Sequence, residues 1–416
     1  MVYLRRTIDS LLDQMMPYVP AIAIDGAKGV GKTETAKRRV VETWRLDDES
    51  MRSVVSADFD LRSAPSGSLL IDEWQNVPQV WNSVRRKVDE GAQPGSFLLT
   101  GSASPHDATG THSGAGRILS VRMRPMALHE RGMTNPSVSF NALLSGVGAD
   151  VVGQTDLTAV EYMQAITASG FPGMMQLPGR VRQQMLDSYL ARVIDRDIPE
   201  NGGQVRSPQA LTKWLRAYAA ATASTTSYSK LVDTAERHSE TMPSKATTAR
   251  YREHLAQLWL LDPVPGWLPM HNEFSRAAQA PKHYLADPAL AARLLGLTAR
   301  DLVSAQGAHM AGPLFEALAT LGVRVMAEAV GGRVNHLRMH DGRREIDLIV
   351  NGSEGQVLPI EVKLAANVTD AHVKHLLWLR EQMPDQVVDL VVINAGSHAY
   401  RRQDGVAVVP LALLGE

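Results

Sequence analysis

The 416-residue chain contains no cysteine. Disulfides, thiolate zinc sites and iron–sulfur clusters are therefore excluded, and a reducing, cytoplasmic setting is expected. Charge excess is also missing: 43 Lys and Arg stand against 44 Asp and Glu, a net charge of −1. No global field draws nucleic acid, so contact with DNA or RNA has to come from a local patch. Long apolar runs are absent as well. No stretch reaches the ~20 residues of a membrane span, so no membrane partner is expected. Residues 1–16 carry Asp9 and Asp13 where a secretory signal needs an apolar centre. They read instead as an amphipathic helix with Leu4, Ile8, Leu11, Leu12 and Met15 on one side. The apolar share, 44%, suffices for ordinary cores, and the length implies two or three domains.

What is present is most informative at residues 26–33. Gly26-Ala27-Lys28-Gly29-Val30-Gly31-Lys32-Thr33 fits the phosphate-loop pattern G-x-x-x-x-G-K-[ST]. Before it, Ala21 to Ile24 reads as a short buried strand. After it, Thr33 to Trp44 reads as a helix with Ala36, Val40, Val41 and Trp44 on one face. Glycines let backbone N–H groups curl inward towards phosphate oxygens, and a helix N-terminus adds partial positive charge. Lys32 is placed to reach the β- and γ-phosphates and the Thr33 hydroxyl to ligate Mg²⁺. Residues 26–33 with Glu34 are thus the expected ATP- and Mg²⁺-binding set.

Two further strand ends support this. Ser68 to Ile71 is apolar and runs into Asp72-Glu73. An acid there holds Mg²⁺ directly or through water, and the next acid can act as general base on the attacking water. Phe97 to Leu99 runs into Thr100-Gly101-Ser102. Thr100 either contacts the γ-phosphate or orients the water, or it belongs to a plain Thr-Gly-Ser turn. Residues 117–125 alternate like a strand and carry Arg117, Arg122 and Arg124. Either an arginine among them acts on the phosphate, in cis or from a neighbouring subunit of a homo-oligomer, or this is a basic edge strand.

Residues 1–131 read as one α/β unit, and 132–155, rich in Gly, Ser, Asn and Val without clear periodicity, as a linker. Residues 156–270 read as a helical lid followed by a winged helix-turn-helix. Its helices lie near 209–223, 228–237 and 244–260, its turn at Met242-Pro243 and its wing at 261–267. Lys245, Arg250 and Arg252 are the basic residues its third helix offers a DNA groove, and Ala249, Leu255, Leu258 and Trp259 its core residues. Such modules also serve as protein-contact or lid domains. From 271 to 416 the pattern is a small α/β domain. A helix at 313–321 leads to strands near 324–328, 335–339, 345–350, 358–362, 387–394 and 406–409. Asp347 and Glu361 sit on adjacent strands, where they can share a Mg²⁺. Lys363 lies on the same strand face as Glu361, and Glu316 on the preceding helix is a fourth candidate. Either these form a metal-dependent hydrolytic site, or they are a salt-bridged relic.

The chain resembles the prokaryotic AAA+-type ATPases that join a P-loop domain to a C-terminal domain of uncharacterised function. The resemblance rests on the phosphate loop, Leu70-Ile71-Asp72-Glu73-Trp74-Gln75, Leu99-Thr100-Gly101-Ser102, residues 124–130, Gly170-Phe171-Pro172, Arg196-Asp197-Ile198, Tyr251, and Glu345-Ile346-Asp347 with Glu361-Val362-Lys363. It implies an AAA+-like α/β domain with a parallel sheet between helices, a helical and winged-helix region, and a C-terminal α/β domain similar to the PD-(D/E)xK nuclease fold. It implies ATP on Lys32 and Thr33, Mg²⁺ on Asp72, Glu73 as base, and Glu316, Asp347, Glu361 and Lys363 as the nuclease-type site. Two functions stay open. One is an ATPase driving a working, nucleic-acid-binding nuclease module. The other is an ATP-gated switch that binds a protein or nucleic-acid partner through a silent nuclease fold.

Overall fold

The computed structural model describes residues 3–102, 113–200, 203, 205, 207–236, 245–268, 280–339 and 342–416. Residues 103–112 and the Met242-Pro243 turn lie outside the described residues. The N-terminal sheet has strands β1 Ala21–Asp25, β2 Glu42–Arg45, β3 Leu69–Asp72, β4 Phe97–Gly101 and β5 Ile118–Arg122. Its order is β2-β3-β4-β1-β5, parallel throughout. A parallel sheet needs both faces covered, and strand alternation supplies them. Ala21, Ala23, Ile71 and Leu99 face a core with Trp44, Trp74 and Trp81. Ile22, Ile24, Leu70 and Leu98 face a second core. Asp72 pairs with Thr100 in register, and Thr100 with Ile24, so the three strand ends stand level beside the glycine loop.

That second core runs on without a break. It takes in Ile8 and Leu12 of the first helix, Leu190 and Trp214 of the middle region, and Phe315, Ile360 and Val409 near the C-terminus. The C-terminal part holds a seven-stranded sheet. Its strands are β7 Gly153–Gln154, β8 Arg333–Arg338, β9 Glu345–Asn351, β10 Val357–Lys363, β11 Val391–Asn394, β12 His398–Arg401 and β13 Ala407–Pro410. Helix Asp370–Gln382 covers its outer face with Val373, Leu376 and Leu379. Helix Ala308–Ala329 covers the other face. Among the described residues that helix alone is long and apolar enough to cross a membrane, but 72% of its apolar window is buried inside the protein. This corrects the reading that no such stretch exists.

Several expectations fail for identifiable reasons. The helix after the phosphate loop covers only Lys32–Lys37. Thr43 and Trp44 belong to β2, where Trp44 pairs with Ile71 and is buried; β-branched and aromatic residues suit a sheet edge better than a helix end. Residues 324–328 are helical, not a strand, because Val323, Met326 and Ala327 are buried at helical spacing. Ala249 is exposed. The region expected as a wing forms isolated bridges, Leu261 with Leu285, Val264 with Lys282 and Gly266 with His336.

The stretch 132–155 is not a free linker. Strand β6 Val138–Ser139 pairs with β14 Leu414–Gly415, and β7 pairs with β12. Between them helix Phe140–Ser145 buries Phe140, Leu143 and Leu144. Phe140→Ala should therefore cost about 3–5 kcal/mol, read as a lowered urea midpoint. A linker residue would change stability by less than about 0.5 kcal/mol.

Candidate nucleotide site and the C-terminal charge cluster

The glycine loop depends on backbone that only glycine adopts cheaply. Gly26, Gly29 and Gly31 have φ of 156°, 82° and 104°. A Cβ on Gly26 would lie 2.2 Å from the Met123 carbonyl oxygen, so the close approach to β5's exit also demands glycine. Inside the loop Lys32 is 6% exposed. Its Nζ donates to the carbonyls of Gly26 (2.7 Å) and Ala27 (3.0 Å). Burial pushes the Lys32 ammonium down to about 8, against the pull of Glu73, Asp25 and Asp72.

Asp72 is where the strand ends converge. Its Oδ1 accepts from the hydroxyls of Thr33 (2.8 Å) and Thr100 (2.6 Å). Thr100 is therefore more than a turn residue: it holds the carboxylate that faces Thr33. The Thr33 hydroxyl and the Asp72 carboxylate are oxygen donors of the kind Mg²⁺ takes, and they stand side by side, so the group fits these residues. Glu73 sits in left-handed backbone, φ 54° and ψ 47°. That conformation costs a non-glycine residue about 1 kcal/mol and marks functional turns. The Glu73 carboxylate accepts from Gln75 Nε2.

Two participants, Arg6 and Asp25, carried no motif signal, and a third, Lys28, is engaged away from the loop. Arg6 donates to the carbonyls of Val30 (3.0 Å) and Arg124 (2.8 Å) and pairs with Glu130, strapping the N-terminal segment to the loop. Lys28, expected on phosphate, has Nζ 2.6 Å from Asp197 at the end of a π-helical turn, Val193–Asp197. Asp25, at the end of β1, is pushed up to about 6 by burial. Beside helix Lys32–Lys37 lies a cavity of about 350 Å³, bordered by Tyr3, Arg38, Met123, Met126, Pro172 and Met175. The Arg38 guanidinium stacks over the Tyr3 ring at 3.8 Å.

The arginines divide. Arg117 is exposed and pairs with Asp89 (2.9 Å). Arg122 and Arg124 are not finger candidates. Both bind Asp262, at 2.8 and 2.6 Å, together with Arg324 at 2.9 Å. Arg124 also pairs with Glu328 and its side chain is 1% exposed. Arg122 packs over Trp259. A guanidinium buried on its counter-ion cannot be withdrawn without leaving both charges bare. Burial alone would raise the Asp262 carboxyl, but the three arginines hold it far below its usual range. In the expected recognition helix, Lys245–Gln257, Arg250 is exposed, while Arg252 is stacked on Tyr228 at 4.2 Å. The Lys245 side chain lies outside what is described.

Glu316, Asp347, Glu361 and Lys363 do come together. Lys363 Nζ donates to Glu361 (2.7 Å) and Asp347 (3.2 Å). Nothing in the residue pattern marks the group at their centre. Lys282, 1% exposed at its side chain, places Nζ 2.8 Å from Asp347, 3.0 Å from Glu316 and 3.4 Å from Glu345. That ammonium is held by Asp347, Glu316 and Glu345, and Lys363 bridges Asp347 and Glu361.

Residues 19–131 match the family model described as AAA domain. The glycine loop and the five-stranded parallel sheet lie within this segment. Residues 160–301 and 311–414 match two families described as domains of unknown function, DUF8612 and DUF4143. Over 98% of its length the chain is 24% identical to the uncharacterized protein Rv2008c of Mycobacterium tuberculosis, covering 83% of it. The uncharacterized protein Mb2031c of Mycobacterium bovis gives the same figures. Among solved structures, the Walker-type ATPase PABY2304 of Pyrococcus abyssi is similar with 15% identity and a TM-score of 0.41, over 70% of this chain and 96% of that one.

If phosphate binds at Lys32, the binding is expected to depend on pH. Phosphate favours the ammonium, which the free protein loses near pH 8 instead of the usual 10.5. Above that pH, binding has to take up a proton, so affinity falls as pH rises, approaching about tenfold per unit. Calorimetry of ATP binding in buffers of differing ionisation enthalpy should show proton uptake near zero below about pH 7 and approaching one above about pH 9. Absence of uptake at the higher pH would refute the assignment.

Proposed function

We propose that the protein binds ATP with Mg²⁺ and hydrolyses it, and that the nucleotide state is passed to the middle and C-terminal parts of the chain. The observation that carries this reading is the meeting of the Thr33 and Thr100 hydroxyls on one oxygen of Asp72, beside a buried Lys32. The glycine loop gathers the phosphates with its N–H groups. Lys32 leaves the Gly26 and Ala27 carbonyls for the β- and γ-phosphates. Bound Mg²⁺ would neutralise charge on the phosphates and fix their orientation, with Thr33 and Asp72 holding it. Glu73 takes the proton of the attacking water, and the Gln75 contact supports its aim. The cavity beside the loop suits the base and sugar: methionines and proline border an apolar slot, with Tyr3 and Arg38 as a stacked pair at its edge. Arg117 remains available to a neighbouring subunit.

The link to the rest of the molecule is supported by the Asp262 clamp, which ties β5 to the segment after the third middle-region helix and to helix Ala308–Ala329. A second reading, an ATP-gated switch with a silent nuclease-like fold, is favoured by Lys282 among its carboxylates.

Lys32→Ala should abolish nucleotide binding, measured with a fluorescent ATP analogue. Glu73→Gln should bind with near-normal affinity and lose about 10²–10⁴-fold in turnover. Full turnover by Glu73→Gln would remove Glu73 from the role of base.

A further inference from the structure

We infer that the Lys282 ammonium is the resident cation of the C-terminal carboxylate cluster, standing where a hydrolytic metal would stand and closing the site to divalent ions. The inference concerns the second reading above and is tested apart from ATP turnover.

The geometry is that of a filled site. An ammonium has three N–H donors. Lys282 has three carboxylate neighbours, Asp347, Glu316 and Glu345, within 3.4 Å. Other donors hold the same carboxylates. Asp347 Oδ2 accepts from the Val362 N–H (3.0 Å) and from Lys363 (3.2 Å). Glu316 Oε1 also accepts from the Tyr284 hydroxyl (2.6 Å).

Lys282 is also anchored from outside the cluster. Its backbone exchanges both hydrogen bonds with Val264 (2.9 and 3.0 Å), so the ammonium is delivered by a two-stranded ribbon from the middle region. The side chain is not a surface lysine that has folded inward.

The test uses the full-length protein without nucleotide, titrated with Mn²⁺ and followed by loss of the free-ion electron paramagnetic resonance signal. Wild type and Asp347→Asn should bind Mn²⁺ identically, and any ion bound at the nucleotide site should be lost in Asp72→Asn. Lys282→Ala should gain one Mn²⁺ site that Lys282→Ala with Asp347→Asn lacks. Its melting temperature should rise by several degrees with millimolar Mn²⁺, while that of wild type with Asp72→Asn does not. Mn²⁺ binding by wild type that depends on Asp347 would overturn the inference. So would Asp347-dependent cleavage of DNA or RNA by wild type, or a folded Lys282→Ala that gains no site. If Lys282→Ala fails to fold, the comparison of wild type with Asp347→Asn still decides, and Lys282→Gln, which keeps the stem, repeats the gain test.

Discussion

Asp262 is the anion on which the assembly of this molecule turns. It is buried, and three guanidiniums reach it: Arg122 and Arg124 from the end of β5, and Arg324 from helix Ala308–Ala329. Removing such a carboxylate from water is expensive unless it is fully partnered. The partnering requires the P-loop domain, the middle region and the C-terminal domain to be present in one arrangement. The same short ribbon carries Asp262 on one strand and, opposite Val264, Lys282 on the other. Two ionic centres with different neighbours are thereby fixed by one piece of backbone. The ribbon thereby joins β5, which lies beside β1, to the C-terminal carboxylates: the arginines grip Asp262 on one strand, and Lys282 stands on the other.

The two buried lysines make an instructive contrast. Lys32 is surrounded by carbonyls and distant acids, and burial weakens its hold on its proton. Lys282 is equally buried but faces Asp347, Glu316 and Glu345, so its proton is held more tightly than in water. The first ammonium is left with unspent charge that phosphate can satisfy. The second has none to spare.

The P-loop half was legible because its chemistry is local. Gly26 to Thr33 is contiguous, and Asp72 and Thr100 sit at strand ends that the apolar runs announce. The middle ribbon and Lys282 were illegible because their meaning comes from partners far away in sequence; nothing around Lys282 marks it as the neighbour of Asp347. Arg122 and Arg124 misled for the same reason. Their alternating segment was right as a strand, but the sequence does not show Asp262 waiting for them. Residues 132–155 lacked periodicity because their elements are very short: two-residue strands and a six-residue helix give a hydrophobic pattern no room to repeat.

That short segment sets a timetable. Strand β6 finds its partner in β14, made at the far end of the sequence. At ribosomal speeds of about 5–20 residues per second, the interval is on the order of tens of seconds. Until then Phe140, Leu143 and Leu144 have no complete surface to settle on, although the P-loop sheet beside them already has all its strands. A nascent chain of this protein therefore carries all five strands of the P-loop sheet and an unsatisfied apolar helix at the same time.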